Sequence, residues 1–179
     1  LLLGTDLTGA TVGLIGLGPI GQAVAARLSG FGCRVIAWNR TVRSVQGIEF
    51  VDCDTLLSTA DIVSLHIALT PETVGMIGQQ ELAMMQDGAM LINTARGALV
   101  DEAALVAEIK SGRLRAGLDV YTEEPLPLAS ELCELPGCVL LPHVGSATAR
   151  TRRAMFELAL ANLFAGLQGR DLPARLGAN

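Results

Sequence analysis

Three groups of residues in this 179-residue chain have types and spacings that carry chemistry. The first is Gly16-Leu17-Gly18-Pro19-Ile20-Gly21. Between a strand and a helix, Gly16 permits the tight turn and Gly18 lets a pyrophosphate approach the backbone. Gly21 lets helix and strand pack closely, while the helix N-terminus offers N–H donors and the positive end of its dipole. Gly-x-Gly-x-x-Gly alone is a weak signal, but in a strand–turn–helix setting it reads as a dinucleotide-binding loop. The second group is Asn39-Arg40-Thr41, eighteen residues beyond Gly21, with Arg43 close behind. A site for NAD usually places Asp or Glu about 20 residues beyond the loop, to accept hydrogen bonds from the ribose 2′-hydroxyl. No carboxylate stands there, Asn39 does not repel a 2′-phosphate, and Arg40 with Thr41 offers charge-assisted and hydroxyl hydrogen bonds. The expected cofactor is NADP(H) in preference to NAD(H). The plainer alternative is an exposed turn that tolerates Arg.

The third group is spread over fifty residues: Arg96 in the stretch 93–101, Glu124 before Pro125, and His143 after Pro142. Arg96 leaves a strand at its carboxyl end, where open α/β sheets bind ligands, and its planar fork suits a carboxylate. A lone strand-end Arg or His is more often structural. That order of Arg, Glu-Pro and Pro-His downstream of a dinucleotide loop is far more informative. It offers a proton donor and fixed positive charge, the two things that a carbonyl oxygen gaining negative charge requires.

The elements that must position these groups alternate. Apolar, β-branched runs at 11–15, 34–38, 48–51, 61–66, 89–93, 115–120 and 139–141 read as strands. Helical patterns lie between them. One carries Ile20, Val24, Leu28 and Phe31 and is closed by Gly30 and Gly32. Another opens on Asp101 as N-cap, buries Leu105 and Ile109, and ends with Lys110 before Gly112. Strands apolar throughout, separated by helices, predict a Rossmann-type, doubly wound α/β fold with a parallel sheet covered on both faces and right-handed crossovers. The expected division is a nucleotide-binding domain over 1–145 and a helix with tail over 146–179. In that helix Phe156, Leu160, Leu163 and Leu167 form one apolar stripe. Arg150, Arg152 and Arg153 stand near its start, on a face expected to be solvated, the alternative being contact with a carboxylate or with a missing partner domain.

Composition narrows the classes. Half of the residues are apolar, which permits a large core and excludes disorder as the dominant state. Four Phe, one Trp and one Tyr leave that core to aliphatic side chains. Lys plus Arg number 13 against 18 Asp plus Glu, a formal charge of −5, which argues against a nucleic-acid footprint or a polybasic membrane face. No apolar run approaches the roughly 18 residues of a spanning helix, and Leu1-Leu2-Leu3 lacks the features of a signal peptide. Cys33, Cys53, Cys133 and Cys138 form no C-x-x-C pair and are joined by only two His, so no metal site is expected. Buried or partly buried free thiols in a reducing cytoplasm are the expectation.

From near Leu1 to about Leu172 the chain resembles the D-isomer-specific 2-hydroxyacid dehydrogenase family. The resemblance rests on the stretches 16–21, 65–73, 93–101, 117–125 and 142–146. Within the family it looks most like the glyoxylate and hydroxypyruvate reductases, through residues 3–9, Asn39-Arg40-Thr41 and the run from Pro142 to Arg152. The resemblance implies that Arg96 binds the carboxylate of a small 2-oxo acid and that His143 protonates its carbonyl oxygen. Glu124 would pair with His143. Asp119, Thr94, Ala95, Gly145, His66, Ala68 and Thr73 would line the cofactor pocket beside Gly16, Gly18, Pro19, Ile20, Gly21, Asn39, Arg40 and Thr41, and Ser146 would touch substrate. It further implies a homodimer and a substrate domain whose first segment precedes Leu1, with the helix from 146 returning to it. Ala68 departs from the family, which usually has Pro there. The alternatives are a 2-ketogluconate or phosphoglycerate type of dehydrogenase, and a non-enzymatic NAD(P)-sensing module like the family's corepressors.

Overall fold

The computed structural model describes residues 6–41 and 45–175; Arg43 lies outside them. Seven strands, all parallel, form one sheet: β1 (Thr11–Ile15), β2 (Arg34–Trp38), β3 (Glu49–Phe50), β4 (Ile62–Leu65), β5 (Met90–Asn93), β6 (Arg115–Leu118) and β7 (Cys138–Leu140). Their order is β3-β2-β1-β4-β5-β6-β7. The chain winds outward from β1 in one direction, then returns to β4 on its other side. The carboxyl ends of β1 and β4 therefore border a topological switch point, the crevice where such sheets bind ligands.

Both faces of the sheet are covered. Ile15, Ile36, Val63, Leu65 and Leu91 pack with Leu56, Leu57, Leu82 and Leu105 in one core. Val12, Leu14, Leu17 and Ala37 pack with Ala25 in another. Each fully buried Leu or Ile contributes about 1.5–3 kcal/mol, enough for aliphatics alone to hold the sheet. Five α-helices accompany it: α1 (Pro19–Leu28), α2 (Cys53–Thr59), α3 (Gln79–Met84), α4 (Glu102–Lys110) and α5 (Ala149–Leu167). Asp101 caps α4 as expected, accepting from the Ala104 N–H. The first helical pattern ends earlier than its periodicity implies. It passes into a 3-10 turn at Ser29–Phe31, closed by Gly32 at φ 68°, and leaves Phe31 exposed. The run at 48–51 contracts to a two-residue strand at the sheet edge, paired only with β2. Three of the four thiols are half-buried, whereas Cys133 is exposed on the 3-10 turn Glu131–Glu134.

The chain divides into two compact units, Leu1–His143 and Val144–Asn179. In the second, Thr148 caps α5 through its hydroxyl, which accepts from the Thr151 N–H at 3.1 Å. Arg150, Arg152 and Arg153 are exposed, and Arg153 pairs with Glu157 one turn on at 2.7 Å. Of the expected stripe, Phe156, Leu163 and Leu167 are exposed and Leu160 is half-buried. The tail folds back on the helix, with the Arg170 N–H on the Ala165 carbonyl at 2.9 Å and the Ala174 N–H on Asn162 Oδ1 at 3.0 Å.

Candidate active site

The glycine loop runs from the end of β1 into α1, and its shape follows from the missing side chains. Gly16 sits at φ 99°, and a Cβ there would stand 2.6 Å from the His66 carbonyl oxygen. A Cβ on Gly21 would stand 2.2 Å from the Gly16 carbonyl oxygen, so helix and loop touch through backbone. A Cβ on Gly18 would meet nothing within 4 Å. That position faces open space at the first turn of α1, where no side chain caps the N–H groups and Pro19 starts the helix. Asn39 ties β2 to this loop: its Oδ1 accepts from the Leu17 N–H at 3.2 Å, and its Nδ2 donates to the Thr41 carbonyl at 2.7 Å. Arg40 is exposed beyond it. Its charge acts on Glu72, whose carboxyl is held below its ordinary value first by the Thr70 hydroxyl and least by Arg40.

Beside the loop, a cavity of about 400 Å³ is lined by Ile20, His66, Ile67, Ala68, Leu69, Thr94, Ala95 and Arg96. It brings six of the expected site residues to the switch point. His66 Nε2 lies 3.0 Å from Ser64 Oγ, and burial pushes its pKa down, so the ring is neutral at pH 7. Thr73 has a different place. Its hydroxyl accepts from the Thr70 N–H and donates to the Ala68 carbonyl, each at 2.8 Å, closing the 68–73 loop. An open phosphate-facing position, an uncapped helix start and an adjoining crevice together fit a dinucleotide.

The remaining residues gather at the ends of β5, β6 and β7. His143 Nδ1 lies 2.7 Å from Glu124 Oε2, while Glu124 Oε1 accepts from the Tyr121 N–H at 3.1 Å. The hydrogen bond with His143, then that from Tyr121, holds the Glu124 carboxyl below its ordinary value; the charge of Arg96 acts the same way. Glu124 is thus ionised at neutral pH and stays so until acid protonates it. The pair borders a cavity of about 650 Å³ whose wall includes Leu126, Cys133, Leu140 and Leu141. Asp119, only 3% exposed, lies just beyond β6, its N–H on the Asn93 carbonyl at 3.0 Å. Gly145 and Ser146 belong to the second unit.

Three residues outside the expected set shape this region. Asn93, 1% exposed, donates to the Arg96 carbonyl at 2.9 Å and accepts from the Ala95 N–H at 3.0 Å, building the turn that presents Arg96. A Cβ on Gly97 would lie 1.9 Å from the Tyr121 carbonyl carbon, so the Arg96 turn packs directly on the backbone before Glu124. Tyr121 is the chain's only tyrosine; its hydroxyl lies 2.8 Å from the Leu141 carbonyl oxygen and 3.2 Å from that of Leu118. Burial raises its pKa, so the phenol remains a donor at working pH. The available signals were a polar residue ending an apolar strand and a lone Tyr three residues before Glu124.

Residues 1–145 match the D-isomer specific 2-hydroxyacid dehydrogenase, NAD binding domain. A glyoxylate reductase of Thermococcus litoralis is 46% identical over 98% of this chain and 54% of its own length. A protein of Thermus thermophilus superposes with a TM-score of 0.94 at 49% identity, covering 98% of this chain and 56% of its own. A D-isomer specific 2-hydroxyacid dehydrogenase from Xanthobacter autotrophicus, solved in complex with NADPH and MES, gives 0.85 at 32% identity over 99% of this chain and 74% of its own. The chain spans about half the length of the curated relatives it matches. Among the described residues no helix is long and apolar enough to cross a membrane. With the match over residues 1–145 and the shared fold, the chain belongs to the D-isomer-specific 2-hydroxyacid dehydrogenase family.

Proposed function

We propose that this chain, residues 1–145 as nucleotide-binding domain and 146–179 as a helix returning to a substrate domain, serves a cytoplasmic, homodimeric reductase. Its reaction converts glyoxylate or hydroxypyruvate to the D-2-hydroxy acid with NADPH as reductant. The observation that carries the reading is the 2.7 Å pair of His143 Nδ1 and Glu124 Oε2 close to Arg96. A dinucleotide, when bound, supplies the hydride. Gly16, Gly18, Pro19, Ile20 and Gly21 hold its pyrophosphate. Asn39, Arg40 and Thr41 hold the adenosine ribose with its 2′-phosphate. His66, Ala68, Thr73, Thr94, Ala95, Asp119 and Gly145 shape the rest of the pocket.

The chain's own residues supply the groups that act on the carbonyl. Arg96 fixes the substrate carboxylate through its planar fork and offsets charge that develops on the carbonyl oxygen. Because Nδ1 is engaged by Glu124, Nε2 is the nitrogen that faces substrate. The imidazolium proton passes from Nε2 to the carbonyl oxygen as the carbon gains hydride, leaving neutral imidazole and a 2-hydroxy acid. Glu124 remains a carboxylate throughout and fixes the tautomer. His143, half exposed, regains its proton from solvent. Ser146 contacts the substrate.

The test is NADPH and NADH oxidation by the complete protein, with glyoxylate, hydroxypyruvate, 2-ketogluconate and phosphohydroxypyruvate offered in turn. The expected result is turnover of the two small acids, faster with NADPH, to a D-configured product. Tight cofactor binding without turnover of any 2-oxo acid would make the protein a nucleotide-sensing module instead.

A further inference from the structure

We propose that Tyr121 is the positioning residue of this site: through one hydroxyl and one backbone N–H it fixes the Glu124–His143 pair, and through its carbonyl it registers that pair against the Arg96 turn. The proposal rests on the reading of His143 as the proton donor.

The contacts converge on one buried residue, 7% exposed. The Tyr121 N–H donates to Glu124 Oε1 at 3.1 Å, which leaves Oε2 for His143. The Tyr121 hydroxyl lies 2.8 Å from the Leu141 carbonyl oxygen, which also accepts the His143 N–H at 3.1 Å. The Tyr121 carbonyl oxygen stands where a Cβ on Gly97 would be only 2.0 Å away, beside Arg96. Arg96, Glu124 and His143 come from three separate strand ends, and Tyr121 is the residue that touches the backbone or side chain of all three neighbourhoods.

The backbone of His143 shows why such a clamp is needed. It sits at φ 53°, alone among the described non-glycine residues in having positive φ. A side-chain-bearing residue stays in the left-handed region only where its surroundings over-determine it. Here the restraints are the doubly engaged Leu141 carbonyl, which fixes the turn leading into His143, and the Glu124 bond on the imidazole. Without the phenol that carbonyl loses its stronger donor, and the 141–143 segment is free to relax toward ordinary φ, which carries the imidazole off the Glu124 carboxylate. Phe at this position keeps the ring and the N–H bond to Glu124, so only the His143 half of the pair is loosened. Glu124, on whose carboxylate Arg96 also acts, contacts the His143 ring, and Cys133 and Tyr121 line the same cavity.

The experiment compares wild type, Tyr121→Phe, Glu124→Gln and the double variant in the complete protein. It reads kcat and KM for glyoxylate, NADPH affinity, thermal melting, and the NMR signals of the His143 ring at a fixed pH, assigned by their loss in His143→Gln. Tyr121→Phe is expected to lower kcat about tenfold or more, since displacements near 1 Å cost up to about a hundredfold. NADPH affinity should stay within about twofold. At a fixed pH the His143 ring signals should move in the direction Glu124→Gln moves them, with no further movement in the double variant. Ring signals in Tyr121→Phe that superimpose on wild type overturn the proposal. So does a variant that melts below the assay temperature, because the hydroxyl then serves stability first. If the wild type reduces no 2-oxo acid, the proton-donor reading fails, while the ring signals still decide the role of Tyr121.

Discussion

The two ends of this site are built by opposite means. At the nucleotide end, shape comes from atoms that are missing: Gly16 and Gly21 bring backbone against backbone, and Gly18 leaves a space that nothing among the described residues fills. At the end proposed to donate the proton, shape comes from a few hydrogen bonds between segments far apart in sequence, Glu124 to His143 and Tyr121 to Leu141. The nucleotide end rests on strands in the middle of the sheet; the other hangs from β6 and the edge strand β7, with His143 about half exposed. Steric construction is rigid and fails by clash. Hydrogen-bonded construction can be tuned, and fails when a single atom is removed.

That contrast sets the order of expected effects. The largest belongs to His143→Asn, which removes the proposed general acid and should lower kcat/KM for glyoxylate by about 10²–10⁴-fold. Calorimetry should find NADPH affinity in that variant within about twofold of wild type; a matching loss of binding would mean that the two ends are not separable. Next comes Arg40→Ala. Losing one charge-assisted contact costs about 1.5–3 kcal/mol, or roughly 10- to 150-fold in NADPH affinity. NADH affinity should be unchanged, and equal titrations of the two cofactors in wild type would remove Arg40 from the cofactor account.

Smaller effects sharpen the steric half of the comparison. Gly21→Ala forces a Cβ to within 2.2 Å of a backbone oxygen, and overpacking of this kind costs about 1–3 kcal/mol, visible as a lowered melting temperature. Gly18→Ala, at φ −70° and facing open space, should melt with wild type yet bind NADPH less tightly. If both alanines melt alike, the loop is not shaped as described. The smallest effect is that of His66. Its pKa is depressed by burial, so the unfolded chain takes up a proton first, and stability falls as pH drops from about 6.5 toward the folded value. His66→Gln should flatten that part of the stability–pH curve; an unaltered curve would mean that the ring is not desolvated.

How far the site could be read from sequence follows the same division. Seven apolar runs became seven strands, and Gly16, Gly18 and Gly21 occupy the turn their spacing implied, because glycine patterns and strand periodicity are local signals. The helices α2 and α3 were not singled out. Each spans less than two turns, too short for apolar periodicity, and each is marked only at its start, by Asp52 with Thr55 and by Gly78 with Glu81. The stripe from Phe156 to Leu167 showed the helix but not its burial, which depends on what packs against it. Nor does any local pattern connect Tyr121 with Leu141 or Gly97 with Tyr121. Those contacts exist because β5, β6 and β7 lie side by side, and adjacency in a sheet is a property of the whole chain.

The central claim is that Glu124 holds His143 as the proton donor, and kcat/KM for glyoxylate reduction by the complete protein, wild type beside Glu124→Gln, tests it most directly. Glu124→Gln keeps the size of the side chain but removes the carboxylate that engages the His143 ring at 2.7 Å, so kcat/KM should fall about tenfold or more while NADPH affinity is retained. A Glu124→Gln variant as active as wild type would contradict the account.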